Sequence, residues 1–486
     1  MLGAHLICEP FMSRRTKIVA TLGPATDDPA TLRRVLEAGV DVVRINYSHG
    51  EAADQAARVE RVRQLAREIN RDIGILADLQ GPKIRIERFA NGPVELAEGQ
   101  AFCLDMELGK DEGTPNAVGC AYKALIHDVS AGDTLLLNDG VISMQVDRIE
   151  GPRIHCTVLL GGTLSDRKGI NKLGGGLSAA ALTDKDKADL AHAVSVGVDF
   201  IAVSFPRNAE DMNEARSLME AARGKAALVA KIERAEALDD LAGLIQASDA
   251  VMVARGDLGV EIGDAELPGR QKQIIQQARE MNRMVITATQ MMESMITQPV
   301  PTRAEVLDVA NAVMDGTDAV MLSAETAMGK YPVKVVQAMA RVCIGAEGTQ
   351  TTARSQTWFE SHFQATDEAI AMATAWTARH MHADAIIALT ESGSTPLMMS
   401  RVDTQIPIYA LTRHERTRHR MALCRGVYPV DFEPTALETL TPVREAVACL
   451  KERGVLADGD RIMVTKGDFN GPGGTNTLKI VTVGEY

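Results

Sequence analysis

Short apolar runs rich in β-branched residues recur along the chain, with polar stretches between them. KIVATLG (17–23), DVVRINYS (41–48), GILADLQ (74–80), FIAVSF (200–205), ALVAKIE (227–233), AVMVARGD (250–257), MVITATQ (284–290) and AVMLSAE (319–325) each have the length of a strand. Their near-continuous hydrophobicity predicts parallel strands covered on both faces. Apolar residues at helical spacing predict helices over 31–38, 54–69, 184–196, 210–223, 236–247, 271–281, 302–314 and 334–343. PTRAEV opens the helix at 302 with proline near its first turn. A strand and a helix alternating in this way predict an α/β fold, a (β/α)8 TIM barrel.

One connection breaks the alternation. Between the third and fourth strands lie about a hundred residues, far beyond an ordinary loop. VELAEGQAFCLD, DTLLLNDGVISMQV and PRIHCTVLLGG are β-like and punctuated by turn residues. They predict an all-β lid domain inserted at the top of the barrel, over 87–170. LGGGLS (173–178) reads as its hinge or flexible return. No GK[ST] follows those glycines, so they are not a phosphate-binding P-loop. After about residue 350 a helix (369–380) and the runs AIIALTE, IPIYALT, GVYPVDF, DRIMVTKGD and KIVTVGE predict a separate C-terminal α/β domain. The expected division is therefore a barrel over 1–86 and 171–349, a lid over 87–170 and a C-terminal domain over 350–486.

Composition narrows the function. The 486 residues carry a formal net charge of −13, which gives nucleic-acid binding no global electrostatic support. An acidic chain that binds an anion must do so in a local cationic pocket. The 7 cysteines form no CxxC pair, which argues against a disulfide framework or zinc site and for a reducing, cytoplasmic setting. No apolar run approaches the ~18 residues of a membrane span. MLGAHLICEPF lacks the basic start and long apolar centre of a signal peptide, and Met12 is a second candidate start.

Catalytic groups of such barrels stand at the C-terminal ends of the strands. Side chains alternate along a strand, so i and i+2 share a side. Arg44, Asn46 and Ser48 are thus expected to converge, as are Lys231 with Glu233 and Arg255 with Asp257. Asp78, Thr289 and Ser323 occupy similar end positions, Ser323 as a backbone hydrogen-bonding residue. In ADLQGPKIRI (77–86), Asp78 ends an apolar run, Gly81-Pro82 turns the chain, and Lys83 and Arg85 follow. The expected mouth has the cations Arg44, Lys231 and Arg85 and the carboxylates Asp78, Glu233 and Asp257. Phosphoryl transfer suits it, because cations stabilise the shifting charge and hard oxygens hold a divalent ion. Glu233 and Asp257 are sparse oxygen ligands suited to Mg²⁺, with Mn²⁺ as the alternative ion. Lys231 acts as a point charge and Arg44 as a planar fork.

These residues also carry a family resemblance. KIVATLGPAT, VVRINYSHG, ADLQGPKIRI, LVAKIERAEAL, VMVARGDLGVEI, ITATQMMESMI, PTRAEVLDVANAVMDGTDAVMLSAETA and GGTNT together resemble pyruvate kinase, from about Thr16 to the C-terminus. The form is similar to the bacterial type that carries LQGPK rather than TKGPE. The resemblance implies phosphoryl transfer from phosphoenolpyruvate to ADP, giving pyruvate and ATP, with a mobile lid, a regulatory C-terminal domain and a homotetramer. It implies that Arg44 binds the phosphoryl, Lys231 stabilises the transition state, and Glu233 with Asp257 holds Mg²⁺. Gly256 offers backbone to the substrate carboxylate, and Thr289 lies near the enolate face. His49, Arg85 and Lys168 contact nucleotide, and a second Mg²⁺ arrives with ADP. Arg167 and Asn171 flank Lys168, but only the lysine carries the implied role.

The family's monovalent-cation pocket falls on Asn46, Ser48, Asp78 and position 79. Position 79 is leucine here instead of threonine, and position 83 is lysine instead of glutamate. The Lys83 ammonium is expected to substitute for K⁺ and make K⁺ unnecessary. In the C-terminal domain LTESGSTPLMMSR (389–401) follows a strand and opens a helix. Thr390, Ser392, Gly393, Ser394 and Thr395 there form the expected anion site for a phosphorylated effector. TRHERTRHR (412–420) adds a basic cluster. The expected effector is a sugar monophosphate or AMP. Two rival readings remain: a Mg²⁺-dependent or Schiff-base barrel aldolase using Lys231, and a non-enzymatic phosphometabolite sensor, which the intact barrel mouth disfavours.

Overall fold

The computed structural model describes residues 14–349, 363, 365–402, 404–435, 441–467 and 474–485. The candidate leader 1–11, Met12 and the first glycine of GGTNT lie outside the described residues.

Eight parallel strands close into a barrel in the order Lys17–Thr21, Ala319–Leu322, Met284–Ala288, Ala250–Ala254, Ala227–Ile232, Phe200–Val203, Gly74–Asp78 and Val42–Asn46. All eight expected strands are present. Side chains on one face of these strands pack under the surrounding helices, as with Ile18, Val43, Ile75 and Val251. Those on the other face, including Val19, Leu76, Phe200 and Met252, fill the barrel interior. Both faces are therefore dry, which is why the strands read as continuous apolar runs.

The helices follow with shifted ends. The helix Arg303–Asp315 is capped by Thr302, whose side chain accepts from Glu305 N–H while Glu305 reaches back to the Thr302 N–H. Gly316, with φ of 95°, ends it in the left-handed region. The helix expected over 236–247 is two, Glu236–Asp239 and Leu241–Ala247.

Between the third and fourth barrel strands stands a separate, mostly β domain. It has a six-stranded sheet, a two-stranded ribbon and one short helix, Leu125–Asp128. Its outgoing and returning chains pair at their base through a bridge between Arg85 and Gly169. The return strand Ile170–Lys172 passes into Gly174, Gly175 and Gly176, with φ of 82°, 79° and 94°. Glycine tolerates these left-handed values where other residues are strained.

The C-terminal domain is a five-stranded sheet in the order Val427–Asp431, Ile408–Thr412, Ala385–Leu389, Arg461–Gly467 and Thr475–Thr482, the last antiparallel. A helix the sequence reading did not expect, Thr441–Glu452, buries Val443, Ala446, Val447 and Leu450 against it. The domain seats on the end of the barrel opposite the site. There the fully buried Arg401 guanidinium bonds Asp318 Oδ2 at 3.0 Å, and Asp318 also accepts from the Val285 and Arg425 N–H groups.

One expectation is corrected at this seam. Much of the basic cluster 412–420 docks the domain instead of forming a free basic surface. Arg418 pairs with Asp72 at 3.1 Å, His419 with Asp199 at 3.0 Å and Arg420 with Asp249 at 3.4 Å.

Candidate active site

The C-terminal ends of the barrel strands meet in one polar mouth. Asp78, the last residue of its strand, is 1 % exposed and lies between two cations. Arg44 Nε donates to Asp78 Oδ2 at 2.6 Å, and Lys231 Nζ stands 3.2 Å from Oδ1. Arg44 also donates to Thr21 Oγ1 at 3.1 Å. Lys231 continues to Glu233 Oε1 at 2.9 Å and to Ser204 Oγ at 2.7 Å. Ser204 in turn donates to the Leu79 carbonyl at 2.7 Å. Sequence reasoning missed Ser204 because it lies one residue beyond its strand, in an otherwise apolar run.

The electrostatics follow from burial and these contacts. Burial disfavours the charged Asp78, but Arg44 and Lys231 outweigh it and hold the carboxyl below its usual range. Burial likewise opposes the Lys231 ammonium, and Asp78 with Glu233 overcomes it, so its pKa is raised. Lys231 therefore stays charged in the site. Glu233 goes the other way. Burial, with a smaller push from Asp257 and Asp78 against the pull of Lys231, raises it to about 7. Its Oε2 accepts from the Phe205 N–H at 3.0 Å.

Asp257 is near enough to Glu233 for its charge to raise the Glu233 carboxyl. Two neighbouring carboxylates fit a hard divalent cation, which relieves their repulsion and keeps waters for its remaining positions. No group of three or more His, Cys, Asp or Glu suited to a metal occurs among the described residues. A pair of carboxylates is a sparse oxygen donor set, which suits Mg²⁺.

Thr289 and Gln290 follow their strand with φ of 68° and 53°. A β-branched residue in the left-handed region is strained, and such strain collects at functional sites. The turn aims Thr289 Oγ1 at the Gly256 N–H, 2.8 Å away. The two residues expected at the substrate's carboxylate and enolate thus lie against each other.

Two expectations change. Arg255 and Asp257 do not share a strand face, because the strand ends at Ala254 and a helix, Arg255–Ile262, begins. The Arg255 side chain turns down to the Ala288 carbonyl at 3.1 Å and to Asp308 at 2.6 Å, as a structural clamp. Lys83 is not among the ion-pair partners of Asp78. Its ammonium lies 3.0 Å from Asp257 and 3.7 Å from Asp139 of the lid. Asp78 is already neutralised by two cations, whereas Asp257 has a charge to offset. Arg85 bonds the Arg167 carbonyl at 3.0 Å, on the lid stem beside Lys168.

Asn46 and Ser48 lie together, with the Ser48 N–H donating to Asn46 Oδ1 at 3.0 Å. Leu79 is fully enclosed at 1 % exposure. His49 is exposed at the rim of the mouth and accepts through its carbonyl from Gln55. The Ser323 main-chain N–H donates to the Glu325 carboxylate at 2.6 Å. In the distant loop at 390–395, Gly393 N–H donates to Thr390 Oγ1 at 2.9 Å, and the Ser392 and Ser394 hydroxyls are 2.8 Å apart. Thr395 is buried and its hydroxyl bonds Thr475 at 2.8 Å, so it supports the loop and is not presented with the two serines.

Comparison with known proteins bears on the same residues. The model of the pyruvate kinase barrel domain matches residues 13–336, and that of the pyruvate kinase alpha/beta domain matches 368–481. Pyruvate kinase II of Salmonella typhimurium is 54% identical over 475 residues, covering 97% of this chain and 99% of the relative. A pyruvate kinase of Haemophilus influenzae is 51% identical over 471 residues, covering 96% and 97%. The crystal structure of a pyruvate kinase from Cryptosporidium parvum superposes with a TM-score of 0.91 at 32% identity, covering 99% of this chain and 100% of that one.

Proposed function

The chain belongs to the pyruvate kinase family, and from that premise we propose how its own residues transfer the phosphoryl group of phosphoenolpyruvate to ADP. The observation that carries the reading is the Lys231 ammonium, held by Asp78, Glu233 and Ser204 at the centre of the mouth. Arg44, fixed by Asp78 and Thr21, grips the phosphoryl through its planar fork. Lys231 meets the charge that builds on the phosphoryl in flight. The Gly256 backbone and Asp257 address the substrate carboxylate, and Thr289 stands at the enolate face, where solvent delivers the proton to carbon. His49 at the rim, with Arg85 and Lys168 on the paired strands of the lid stem, receives the nucleotide.

Glu233 and Asp257 would hold Mg²⁺, with Mn²⁺ as a substitute, and a second Mg²⁺ would come with ADP. The ion supplies charge neutralisation at the substrate's carboxylate and phosphate. Proposed domain limits are 1–86 with 171–349 for the barrel, 87–170 for the lid and 350–486 for the C-terminal domain. Lid closure excludes water from the transfer.

Monovalent-cation independence is retained with a revised placement. Lys83 supplies its charge at Asp257 and Asp139 instead of at Asp78. Asn46, Ser48 and Asp78 remain the pocket wall, and the enclosed Leu79 offers it no oxygen. Thr390, Ser392, Gly393 and Ser394 are proposed to bind a phosphorylated effector, a sugar monophosphate or AMP, with Thr395 as support. A homotetramer in the cytoplasm completes the reading. Among the described residues no helix is long and apolar enough to cross a membrane.

A lactate dehydrogenase-coupled assay of the purified protein tests the activity, run with all K⁺ replaced by a large organic cation. Absence of phosphoenolpyruvate- and ADP-dependent turnover refutes the assignment. Borohydride trapping of a Lys231 adduct with substrate would favour the aldolase alternative.

A further inference from the structure

The helix Arg255–Ile262 carries Gly256 and Asp257 in its first turn and Glu261 one turn on. Glu261 is 3 % exposed, and none of the roles above uses it. Both of its carboxylate oxygens are engaged. Oε2 accepts from the Ala235 N–H at 2.9 Å, and Oε1 accepts from Asn171 Nδ2 at 3.2 Å. Its main-chain oxygen accepts from the Gly174 N–H at 2.9 Å. Ala235 lies two residues past Glu233, and Asn171 and Gly174 belong to the lid's return to the barrel. One residue therefore ties the Asp257 helix to the Glu233 connection and both to the lid.

The surroundings concentrate the lid's base on this point. Pro82, Lys83 and Ile84 of the outgoing chain line the same cavity, of about 20 Å³, as Asn171, Leu177 and Glu261. Buried Arg234 pairs with Glu236 at 2.9 Å and donates to the Leu177 carbonyl of the return. A Cβ at Gly175 would lie 2.8 Å from Glu236 Oε2, so the glycines allow the return to fold closely over these carboxylates.

We propose that Glu261 is a positioning residue for the phosphoryl transfer, a pin that holds the lid's return strand and the Glu233 connection to the Asp257 helix. The proposal rests on the reading of Glu233 and Asp257 as the Mg²⁺ ligands. The Ala235 N–H and the Asn171 NH2 face the two oxygens, and the carboxylate accepts from both. A glutamine at 261 can keep the Ala235 N–H, but its own NH2 then faces the Asn171 NH2, and the lid-side bond survives only where that amide turns over. With the pin intact, the lid swings about a base kept in register with the metal carboxylates. Without it, the Glu233–Asp257 separation and the lid's approach to nucleotide both loosen.

The test uses the full-length enzyme with Glu261→Gln and Asn171→Ala. Mg²⁺, ADP and phosphoenolpyruvate are varied separately, and hydrogen exchange is followed over 171–176. Loss of one buried hydrogen bond predicts that Asn171→Ala raises KM for ADP about fivefold, with KM for phosphoenolpyruvate within about twofold of the parent. Glu261→Gln is expected to raise both KM for ADP and the Mg²⁺ concentration for half-maximal rate by about fivefold or more. Exchange over 171–176 should accelerate in both. A residue that only supports the fold would instead lower the melting temperature and kcat together, leaving both of those quantities unchanged; that result overturns the proposal. Should Glu261→Gln fail to fold, an unchanged KM for ADP in Asn171→Ala overturns it. The underlying metal reading fails separately if Glu233→Gln and Asp257→Asn leave the Mg²⁺ requirement unaltered.

Discussion

The Lys83 ammonium lies 3.0 Å from the Asp257 carboxylate, while Asp78 is shared by Arg44 and Lys231. A fixed cation thus stands at the Asp257 carboxylate, and it reaches Asp139 of the inserted β domain as well. Replacing Lys83 with glutamate would put a third negative charge between Asp257 and Asp139. Like charges at this spacing disfavour one another strongly in a partly enclosed site. The expected outcome for Lys83→Glu is a fall of about tenfold or more in rate without K⁺, with recovery as K⁺ is added. Equal rates with and without K⁺ in that variant would separate Lys83 from cation dependence.

Gly81→Ala is expected to damage catalysis through a neighbour. Gly81 has φ of 69°, and an added Cβ would stand 2.6 Å from Ser204 Cβ and 2.8 Å from Phe205 Cδ2. The left-handed backbone costs an L-residue roughly 1–2 kcal/mol before any contact is counted. Relief of the clash moves Ser204, which positions Lys231, and Phe205, whose N–H holds Glu233. A misplaced Lys231 predicts kcat lower by about tenfold or more, with a smaller loss of stability. Steady-state kinetics beside a denaturant titration checks it.

Much of this architecture is legible in the sequence, and the exceptions have physical reasons. The barrel strands declare themselves because both faces are dry. Lys231, Glu233 and Asp78 are found by position, since each sits at a strand end where the mouth must lie. Alternation fails at Arg255 because the strand stops at Ala254, and the helix that follows contains Gly256 and Gly259 and gives no clear apolar period. The basic run 412–420 looks like a free phosphate site because its partners Asp72, Asp199 and Asp249 are far away in the chain. The place of Lys83 is hidden for a related reason: local sequence does not disclose that Asp78 already has two cations. Ser204 and Glu261 act through other residues: Ser204 lies outside the family motifs, and Glu261 lies within VMVARGDLGVEI, where nothing local discloses its partners Ala235 and Asn171.

Stability should depend on pH through Glu261. Burial is the largest influence on its carboxyl and, against the Ala235 and Asn171 hydrogen bonds, raises it from 4.5 to about 7. A carboxyl raised on folding contributes stability that is fully present below about pH 4.5 and is lost as pH rises through about 7. Glu261→Gln removes this titration. The stability difference between variant and parent should therefore shift in the variant's favour between about pH 5 and pH 8, by up to about 3 kcal/mol, on top of any pH-independent loss from the altered hydrogen bonds. Denaturant titrations of both proteins at several pH values, without Mg²⁺ or substrate, measure the difference. A difference that stays constant with pH would assign the carboxyl an ordinary pKa.

The helix Ser394–Arg401 starts at the proposed effector loop and ends at the buried Arg401–Asp318 pair beneath the barrel. Asp318 stands at the base of the strand Ala319–Leu322, which passes straight through the barrel wall toward the mouth. Binding and transmission can therefore be separated by substitution at the two ends of one helix. Ser392→Ala with Ser394→Ala removes two hydroxyls at the loop and should abolish activation by phosphorylated sugars or AMP without lowering the maximal rate. Arg401→Lys keeps a positive charge but loses the fork that grips both Asp318 oxygens. It should still bind the effector by calorimetry, yet show activation reduced by about tenfold or more, since coupling between sites is typically worth a few kcal/mol. Arg401→Ala goes further and leaves Asp318 buried without its main cation, at an expected loss of about 3–5 kcal/mol. Activation that survives unchanged in the serine variant places the effector elsewhere. Activation that survives in Arg401→Lys means that the signal reaches the barrel by another contact.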